Sequence, residues 1–327
     1  MSSKENNLAK LVLNGDRRAL AQAITLIEST RDNHRIQAEN MLEEMLPMTG
    51  NSIRLAITGV PGVGKSTFIE AFGIHLVSKG HRVAVLAVDP TSQISGGSIL
   101  GDKTRMDKLS HLKDAFIRPT PTAGSQGGVA RRTREVILAC EAAGFDIILV
   151  ETVGVGQSET AVADMVDMFL LLLLPGSGDE LQGLKRGIVE LADLVIVNKA
   201  DREMLSAAER VAVEYRNALH LLRPLSKYWD PRVVTCSALE GSGIADIWKI
   251  IGDYRGAHSK EGAFENKRLQ QAISWMWREV DDSLLSSFRS NSSVEENISE
   301  IENQVKLGTL APSVAAKTLL DIFRKGK

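Results

Sequence analysis

An apolar run, Ile53–Thr58, leads directly into Gly59-Val-Pro-Gly-Val-Gly-Lys65-Ser66, and a helical pattern begins at Lys65. Glycines between a buried strand and a helix let backbone N–H groups converge on phosphate oxygens. This order of elements constrains the chain to an α/β fold with a phosphate-binding loop. We expect Lys65 to reach the β- and γ-phosphates and the Ser66 hydroxyl to coordinate Mg²⁺. The predicted phosphate-binding residues are Gly59, Pro61, Gly62, Val63, Gly64, Lys65, Ser66 and Thr67.

Short apolar runs alternate with helical patterns from Ser52 to about Tyr254. This alternation predicts a mainly parallel sheet with helices on both faces, whose ligands bind at the carboxyl ends of the strands. The predicted strands are Ile53–Thr58, Val83–Val88, Ala115–Ile117, Ile147–Val150, Met168–Leu174, Leu194–Val197 and Val233–Cys236. The predicted helices between them are Lys65–Ser78, Val129–Ala143, Leu184–Leu191, Met204–Leu222 and Ile244–Tyr254.

Helical patterns also lie on both sides of this domain. We predict an N-terminal helical extension over residues 1–50, a G domain over 51–256 and a C-terminal helical arm over 257–327, with Gly256–Gly262 as a linker. The outer helices are predicted at Arg18–Ile27, Ile36–Leu46, Asn266–Phe288, Val294–Leu307 and Ser313–Phe323. An apolar stripe at helical spacing on the first helix of the arm consists of Leu269, Ile273, Met276, Val280 and Leu284. This stripe predicts either packing against the parent domain or a dimerisation arm.

The composition is that of a globular chain with balanced charge. Of 327 residues, 43% are hydrophobic and 24% are charged, and 39 Lys and Arg stand against 41 Asp and Glu. This balance gives no support for nucleic-acid or membrane binding, and the most apolar run, Met168–Leu174, is too short to span a bilayer. Cys140 and Cys236 form no metal-spaced cluster and fit a reducing compartment. Because residues 1–16 lack the apolar core of a signal sequence, we expect a cytoplasmic location.

A second nucleotide motif, Asn198-Lys199-Ala-Asp201, follows the predicted strand Leu194–Val197. A carboxylate at Asp201 accepts hydrogens from N1 and N2 of guanine, a pair of donors that adenine lacks. We expect Asn198 to hold neighbouring loops and the stem of Lys199 to stack on the base. The backbone of Ser237, Ala238 and Leu239, after the last strand, is placed to touch guanine O6. Together with the phosphate loop, this motif predicts that the protein binds GTP and hydrolyses it.

Two carboxylates at strand ends are candidate partners of Mg²⁺ and of the attacking water. Asp89 follows Val83–Val88, and Glu151 follows Ile147–Val150 with Gly154 three residues on, which predicts a metal-linked acid and a γ-phosphate-sensing amide. An alternative for Asp89 is a helix or turn cap. Val155 stands where a small GTPase places its water-orienting Gln, and Gln157 is displaced. We therefore expect slow unaided hydrolysis that a partner or second subunit completes.

Three further segments carry charge outside the motifs described so far. Residues 91–106 are rich in Gly and Ser and contain Asp102 and Arg105, which predicts a switch loop at Mg²⁺ and the γ-phosphate. Pro175–Gly187 is either a third switch or a solvated loop. The basic run Arg131, Arg132 and Arg134 suits an anionic substrate, an acidic partner or an exposed first helical turn.

These motifs closely resemble those of the MeaB/ArgK family, the GTPases associated with methylmalonyl-CoA mutase. The resemblance extends from the N-terminal helices through the C-terminal arm, where it rests mainly on helical character. No nucleotide-binding position departs from the family pattern. The matching segments are Gly59–Thr67, Val88–Ser92, Gly96–Met106, Glu151–Glu159, Asp179–Lys185 and Asn198–Asp201.

The resemblance implies a G domain of the class that contains signal-recognition and metal-insertion GTPases, with a homodimer joined through C-terminal helices. It implies GTP or GDP with Mg²⁺ as ligands. It also implies a chaperone that couples GTP hydrolysis to loading adenosylcobalamin into the mutase, or to protecting the mutase. By the same resemblance Gln182 and Lys185 lie in a third switch coupled to the mutase. The predicted switch and coupling residues are Asp102, Arg105, Gln157, Asp179, Gln182 and Lys185.

Three alternatives remain for the function. In the first, the protein is a regulatory GTPase whose client is methylmalonyl-CoA mutase or a related cobalamin-dependent mutase. A metal-insertion GTPase for another metalloenzyme would call for Cys or His clusters near the nucleotide, and Cys140 and Cys236 are isolated. A small-molecule kinase needs an acceptor pocket and gains nothing from the guanine selectivity that Asn198–Asp201 predicts.

Overall fold

A fully parallel seven-stranded sheet lies at the centre of the computed structural model, which describes residues 5–88, 106–120, 126–152, 159–176, 186–221 and 226–325. Its order is β3-β2-β4-β1-β5-β6-β7, so β1 lies between β4 and β5. This sheet confirms the predicted α/β fold class. The strands are β1 Ile53–Gly59, β2 Val83–Val88, β3 Ala115–Thr120, β4 Ile147–Thr152, β5 Met168–Leu173, β6 Leu194–Val197 and β7 Arg232–Thr235.

Helices precede, connect and follow the strands. Those of the sheet domain are α4 Lys65–Ser78, α5 Asp107–Ser110, α6 Gln126–Ala142, α7 Glu159–Ala163, α8 Arg186–Leu191, α9 Leu205–His220 and α10 Ile244–Ser259. The outer helices are α1 Glu5–Leu13, α2 Arg17–Glu28, α3 Asp32–Met45, α11 Ala263–Arg289, α12 Ser292–Lys306 and α13 Pro312–Lys325. Among the described residues, no helix is long and apolar enough to cross a membrane.

Alternation along the strands divides the core into two apolar layers. Ala56 of β1 and Val150 of β4 pack in the layer that contains α6 and α9, which we call the α6 layer. Leu55 and Leu149, one residue away on each strand, pack in the layer that contains α4 and α10, the α4 layer. Successive side chains of a strand point to opposite faces, so both faces of these strands are covered and their sequences are largely apolar.

The N-terminal helices extend the α6 layer. Leu20 and Ile24 of α2 and Met41 and Met45 of α3 are buried with residues of α6. Asp16 begins α2 because its carboxylate accepts the backbone N–H groups of residues 18 and 19 at 2.8 Å each. A cap of this kind stabilises a helix by about 1 kcal/mol.

A network of buried carboxylates and half-buried arginines lies at the amino ends of β1 and β5. Arg268 at the start of α11 donates to both carboxylate oxygens of Asp167, at 2.8 and 2.6 Å, and to the carbonyl oxygens of residues 50 and 52. Arg54 donates to both carboxylate oxygens of Glu141, at 2.8 and 2.9 Å. The hydroxyl of Tyr254 donates to the Asp167 carbonyl at 2.6 Å. These contacts join the chain before β1 to α6, α10 and the start of α11.

The structure corrects the predicted linker and lengthens several strands. Helix α10 continues through Ser259 and ends in a 3-10 turn, Lys260–Gly262, so most of Gly256–Gly262 is helical. Within that segment only Glu261 and Gly262 adopt positive φ angles, 61° and 65°. Strands β3 and β4 run past their predicted ends to residues 120 and 152, and α5 and α7 were not predicted.

The described chain divides into two compact units, Met1–Arg268 and Leu269–Lys327. In the second unit α12 and α13 pack together, and Val294, Ile301 and Ala315 are buried. Phe288 and Phe323 meet edge to face with ring centroids 5.4 Å apart. The predicted domain boundaries after residues 50 and 256 stay predictions.

Candidate nucleotide-binding site

The loop between β1 and α4 has a backbone that glycine alone adopts readily. Gly59, Gly62 and Gly64 have φ angles of 151°, 82° and 91°. A Cβ at Gly59 would lie 2.5 Å from the carbonyl oxygen of Leu172, and one at Gly64 would lie 2.9 Å from Nδ2 of Asn198. The two positions therefore exclude any side chain both by conformation and by space. The glycines predicted from the motif match these requirements.

Lys65 opens α4 with its ammonium turned back onto the loop. Its Nζ donates to the carbonyl oxygens of Gly59 and Val60 at 2.8 and 3.3 Å. Burial lowers the pKa of Lys65 below its ordinary value, and the nearby charge of Glu151 partly opposes that shift. A phosphate beside this ammonium would stabilise its charged form. The geometry therefore fits a lysine that binds phosphate oxygens.

The remaining predicted residues of the loop differ in exposure. Val63 is fully buried in the α4 layer, and this packing fixes the loop to the core. Pro61 and Thr67 are exposed. A Cβ at Gly62 would meet no heavy atom within 4 Å, so its positive φ rather than crowding favours glycine there.

Ser66 and Glu151 meet beside the phosphate loop. The Ser66 hydroxyl donates to Oε1 of Glu151 at 3.3 Å, and Glu151 is buried at the carboxyl end of β4. A hydroxyl and a carboxylate are oxygen ligands of the kind that Mg²⁺ prefers. These two residues therefore fit a bound Mg²⁺, either directly or through water.

Asn198 joins three loops. Its Nδ2 donates to the carbonyl oxygen of Val63 in the phosphate loop at 2.9 Å. Its Oδ1 accepts the backbone N–H of Ala238 at 3.1 Å and the thiol of Cys236 at 3.5 Å. Asn198 is 1% exposed, so these partners replace water for its amide. The residue predicted to hold neighbouring loops thus contacts the loops after β1 and β7 from the end of β6.

Asp201 is held by the loop after β7. The Ser237 hydroxyl donates to Oδ1 of Asp201 at 2.8 Å and accepts the backbone N–H of Glu240 at 3.2 Å. Lys199 is exposed and has a positive φ of 59°, and Leu239 is 80% exposed. The carboxylate is therefore oriented by protein groups. The sequence prediction gave Ser237 only a backbone contact, whereas its side chain positions Asp201.

Three further contacts near the site were not predicted from the sequence. They are the Lys65 contact to Val60, the Cys236 thiol on Asn198 and a hydrogen bond between the buried hydroxyls of Thr58 and Thr152. Burial raises the pKa of Cys236 to about 12, and the charge of Asp201 adds to that shift. The thiol is therefore a neutral donor. For the contact between Thr58 and Thr152, the available sequence signal was the position of Thr152 directly after the motif acid.

Eight predicted residues lie outside the described residues, so their roles stay predictions. They are Asp89, Asp102, Arg105, Gly154, Gln157, Asp179, Gln182 and Lys185.

The basic run of α6 lies against the N-terminal helices. Arg131 donates to Glu135 at 3.2 Å and lies 3.7 Å from Glu39 of α3. Arg131 and Arg132 line a cavity of about 270 Å³ together with residues of α2 and α3. Arg134 is buried. The prediction of an exposed first turn is therefore wrong for Arg134.

The described geometry defines the class of protein. A parallel sheet with this loop after its central strand is the architecture of P-loop nucleotide-binding proteins. Asn198 and Asp201 follow β6, two strands from β1, where the loop after β7 also reaches them. The class is therefore a P-loop nucleotide-binding protein, and guanine recognition by Asn198 and Asp201 stays a prediction.

Comparison with known proteins gives the family. The model of the family described as "Methylmalonyl Co-A mutase-associated GTPase MeaB" matches residues 20–293. A "Putative GTPase" of Caulobacter vibrioides is 53% identical over 97% of this chain and 97% of its own length. The mouse "Methylmalonic aciduria type A homolog, mitochondrial" is 47% identical over 96% of this chain and 78% of its own length.

One solved structure aligns along nearly the whole chain. A "LAO/AO transport system kinase" superposes with a TM-score of 0.79 and 38% identity, covering 99% of both chains. The chain belongs to the MeaB family, as the motifs predicted. It is a GTPase of P-loop fold that binds GTP and GDP.

Proposed function

We propose that this GTPase serves an adenosylcobalamin-dependent mutase, with methylmalonyl-CoA mutase as the client. It couples GTP hydrolysis to loading the cofactor into the mutase and to protecting the mutase. The observation that carries the proposal is the family match over residues 20–293, because that family is described by its association with this mutase. The mouse relative, named for methylmalonic aciduria, points the same way.

Mg²⁺ is the proposed metal of the reaction. Ser66 and Glu151 hold it, together with Asp89, which lies outside the described residues. When bound, Mg²⁺ neutralises charge on the β- and γ-phosphates. Lys65 supplies a second positive charge from the buried start of α4, and the backbone N–H groups of the loop donate to phosphate oxygens.

We propose slow basal hydrolysis that the client stimulates. Val155 occupies the sequence position where a small GTPase carries a Gln that orients the water, and a valine side chain has no amide. Binding of the mutase completes the site through the predicted switch residues Gln157, Gln182 and Lys185. Binding of the mutase then changes the affinity for the nucleotide, and the nucleotide changes the affinity for the mutase, because coupling of two binding events is reciprocal.

The C-terminal arm is the proposed homodimer contact. Helix α11 is described along its whole length and none of its residues is fully buried. Leu269, Met276, Trp277 and Leu284 are 52–59% exposed, and apolar residues recur at helical spacing. Burying such a stripe against a second copy would stabilise both helices. Light scattering on Trp277→Asp and wild type tests this contact, and a wild-type monomer contradicts it.

The experiment on function measures GTP turnover by the purified protein, alone and with methylmalonyl-CoA mutase, with ATP as the control nucleotide. The proposal predicts a low basal rate that the mutase raises several-fold. Lys185→Ala should keep the basal rate and lose the stimulation. Lys249→Ala, which removes an exposed lysine of α10, should keep both.

Other outcomes distinguish the alternatives. A GTP rate that the mutase leaves unchanged keeps the GTPase and excludes this client, so that related mutases and metalloenzymes are tested next. Consumption of ATP with phosphorylation of an added amino acid would favour a kinase activity. The superposed "LAO/AO transport system kinase" carries that activity in its name.

A further inference from the structure

Two buried threonines meet where β1 and β4 end. The Thr152 hydroxyl donates to the hydroxyl oxygen of Thr58 at 2.8 Å, and both residues are fully buried. Thr58 directly precedes Gly59 of the phosphate loop, and Thr152 directly follows Glu151. One hydrogen bond thus connects the start of the phosphate loop to the neighbour of the acid. We call these two residues the threonine pair.

The threonine pair lies on the face of the sheet opposite to Glu151 and Ser66. Ile57 pairs with Glu151 in the parallel register of β1 and β4, so the threonines are the next residues on each strand. Ala56 and Val150, two residues earlier, pack in the α6 layer, and side chains two apart share a face. Glu151 points to the opposite face, where it meets Ser66 of α4. The pair can therefore influence the site only through the backbone that it fixes.

Stability alone does not require hydroxyls at these positions. Valine has the shape of threonine, and replacing both partners of a buried hydrogen bond by apolar groups of the same shape is close to neutral. The fully buried residues that precede the pair on the same face, Ala56, Ile148 and Val150, are aliphatic. The hydrogen bond between the two hydroxyls is directional, so, unlike an aliphatic contact, it fixes the position of the end of β1 relative to the end of β4.

We propose that the threonine pair positions Glu151 against Ser66 and the phosphate loop, and so sets the affinity of the site for Mg²⁺. The inference rests on the proposed role of Ser66 and Glu151 as holders of Mg²⁺. Because both threonines lie on the face opposite to Glu151 and Ser66, both act as positioning residues. Groups that orient metal ligands from outside typically change metal affinity when they are removed.

The test titrates Mg²⁺ against the binding of fluorescently labelled GDP, which reports the site without turnover. Thr152→Val should raise the Mg²⁺ concentration for half-maximal binding about tenfold, in line with the loss of an outer hydrogen bond at a metal site. The affinity for GDP in EDTA should stay at the wild-type value, because guanine contacts are untouched. GTP turnover at low Mg²⁺ should fall with the binding.

Matched variants separate positioning from packing. Thr152→Ser keeps the hydroxyl and should restore the wild-type Mg²⁺ dependence. Thr133→Val removes another fully buried hydroxyl, on α6, and should leave that dependence unchanged. Because the pair acts as one unit, Thr58→Val with Thr152→Val should be no worse than either single change. If Thr152→Val does not fold, Thr58→Val applies the same test from β1.

Two negative results have different meanings. A wild-type protein whose GDP binding ignores Mg²⁺ overturns the proposed metal site and this inference with it. A Mg²⁺-dependent wild type together with an unshifted Thr152→Val overturns the inference alone, as does a Thr152→Ser that is as weak as Thr152→Val.

Discussion

The two ends of the sheet both contain buried charges, but they neutralise them differently. At the amino end, Arg268 and Arg54 face the carboxylates of Asp167 and Glu141 through paired hydrogen bonds. At the carboxyl end, the ammonium of Lys65 donates to backbone carbonyls. At the amino end the two arginines are paired with carboxylates, whereas at the carboxyl end Lys65 has a positive charge that a phosphate would neutralise.

The pKa shifts follow the same division. Burial opposes the charge of Arg268, yet the hydrogen bonds and charge of Asp167 outweigh it, and the pKa of Arg268 is raised. Burial lowers the pKa of Lys65, and the charge of Glu151 opposes that shift without cancelling it. A cation whose pKa is raised is held in its charged form by its partner, while one whose pKa stays depressed would gain from a charged ligand. The difference favours a structural role for the amino end and a ligand-binding role for the carboxyl end.

The largest expected effect is loss of stability at the amino end. Arg268→Met leaves Asp167 buried without its main partner, so the free energy of unfolding should fall by about 3–5 kcal/mol. Urea denaturation measures this change. GTP turnover per folded molecule should remain at the wild-type level, and a turnover loss without destabilisation would contradict the division between the ends.

At the carboxyl end we expect an effect of similar size on activity and no loss of stability. Lys65→Ala removes the positive charge that we propose binds the phosphates, and loss of one such donor lowers kcat by about 10²–10³. Its unfolding free energy should match or exceed the wild-type value, because a buried cation is removed. Turnover assays and urea denaturation on one preparation check both parts; substantial destabilisation would make Lys65 a structural residue.

A smaller effect is expected where one side chain joins the loops. Asn198→Ala removes the partners of the Val63 carbonyl and the Ala238 N–H, which costs about 1–3 kcal/mol of GTP binding. Equilibrium binding of a fluorescent GTP analogue measures it. Asn14→Ala, a change at an exposed position, is the control. Equal affinities in the two variants would show that Asn198 does not hold the loops.

The smallest expected effect is on the pH dependence of stability. Burial would raise the pKa of Glu141, but the hydrogen bonds and charge of Arg54 lower it below the ordinary 4.5. The ionised pair therefore stabilises the fold above pH 4.5, and its contribution is lost as pH falls through the depressed pKa. The stability difference between wild type and Glu141→Gln should shrink over that acidic range. A difference that stays constant with pH would contradict the ionic role.

Sequence predicted what depends on local pattern and missed what depends on distant pairing. Glycine spacing and strand ends predicted the phosphate loop, Asn198 and Asp201, because each motif lies within a few residues of a strand. The contact of Arg268 with the Gly50 carbonyl spans 218 positions, and that of Thr152 with Thr58 spans 94, so neither leaves a local signal. The predicted linker failed because the buried face of α10 continues past Gly256, where His258 follows Tyr254 by four residues and is also buried.

The most direct test of the central claim measures the base preference at Asp201. Wild type and Asp201→Asn are compared for turnover of GTP, ATP and XTP. Xanthine carries an oxygen where guanine carries its amino group, so an Asn amide can donate to it. The account predicts that wild type hydrolyses GTP and not ATP, and that Asp201→Asn loses GTP turnover and gains XTP turnover. An Asp201→Asn protein that still prefers GTP would contradict the guanine-reading site.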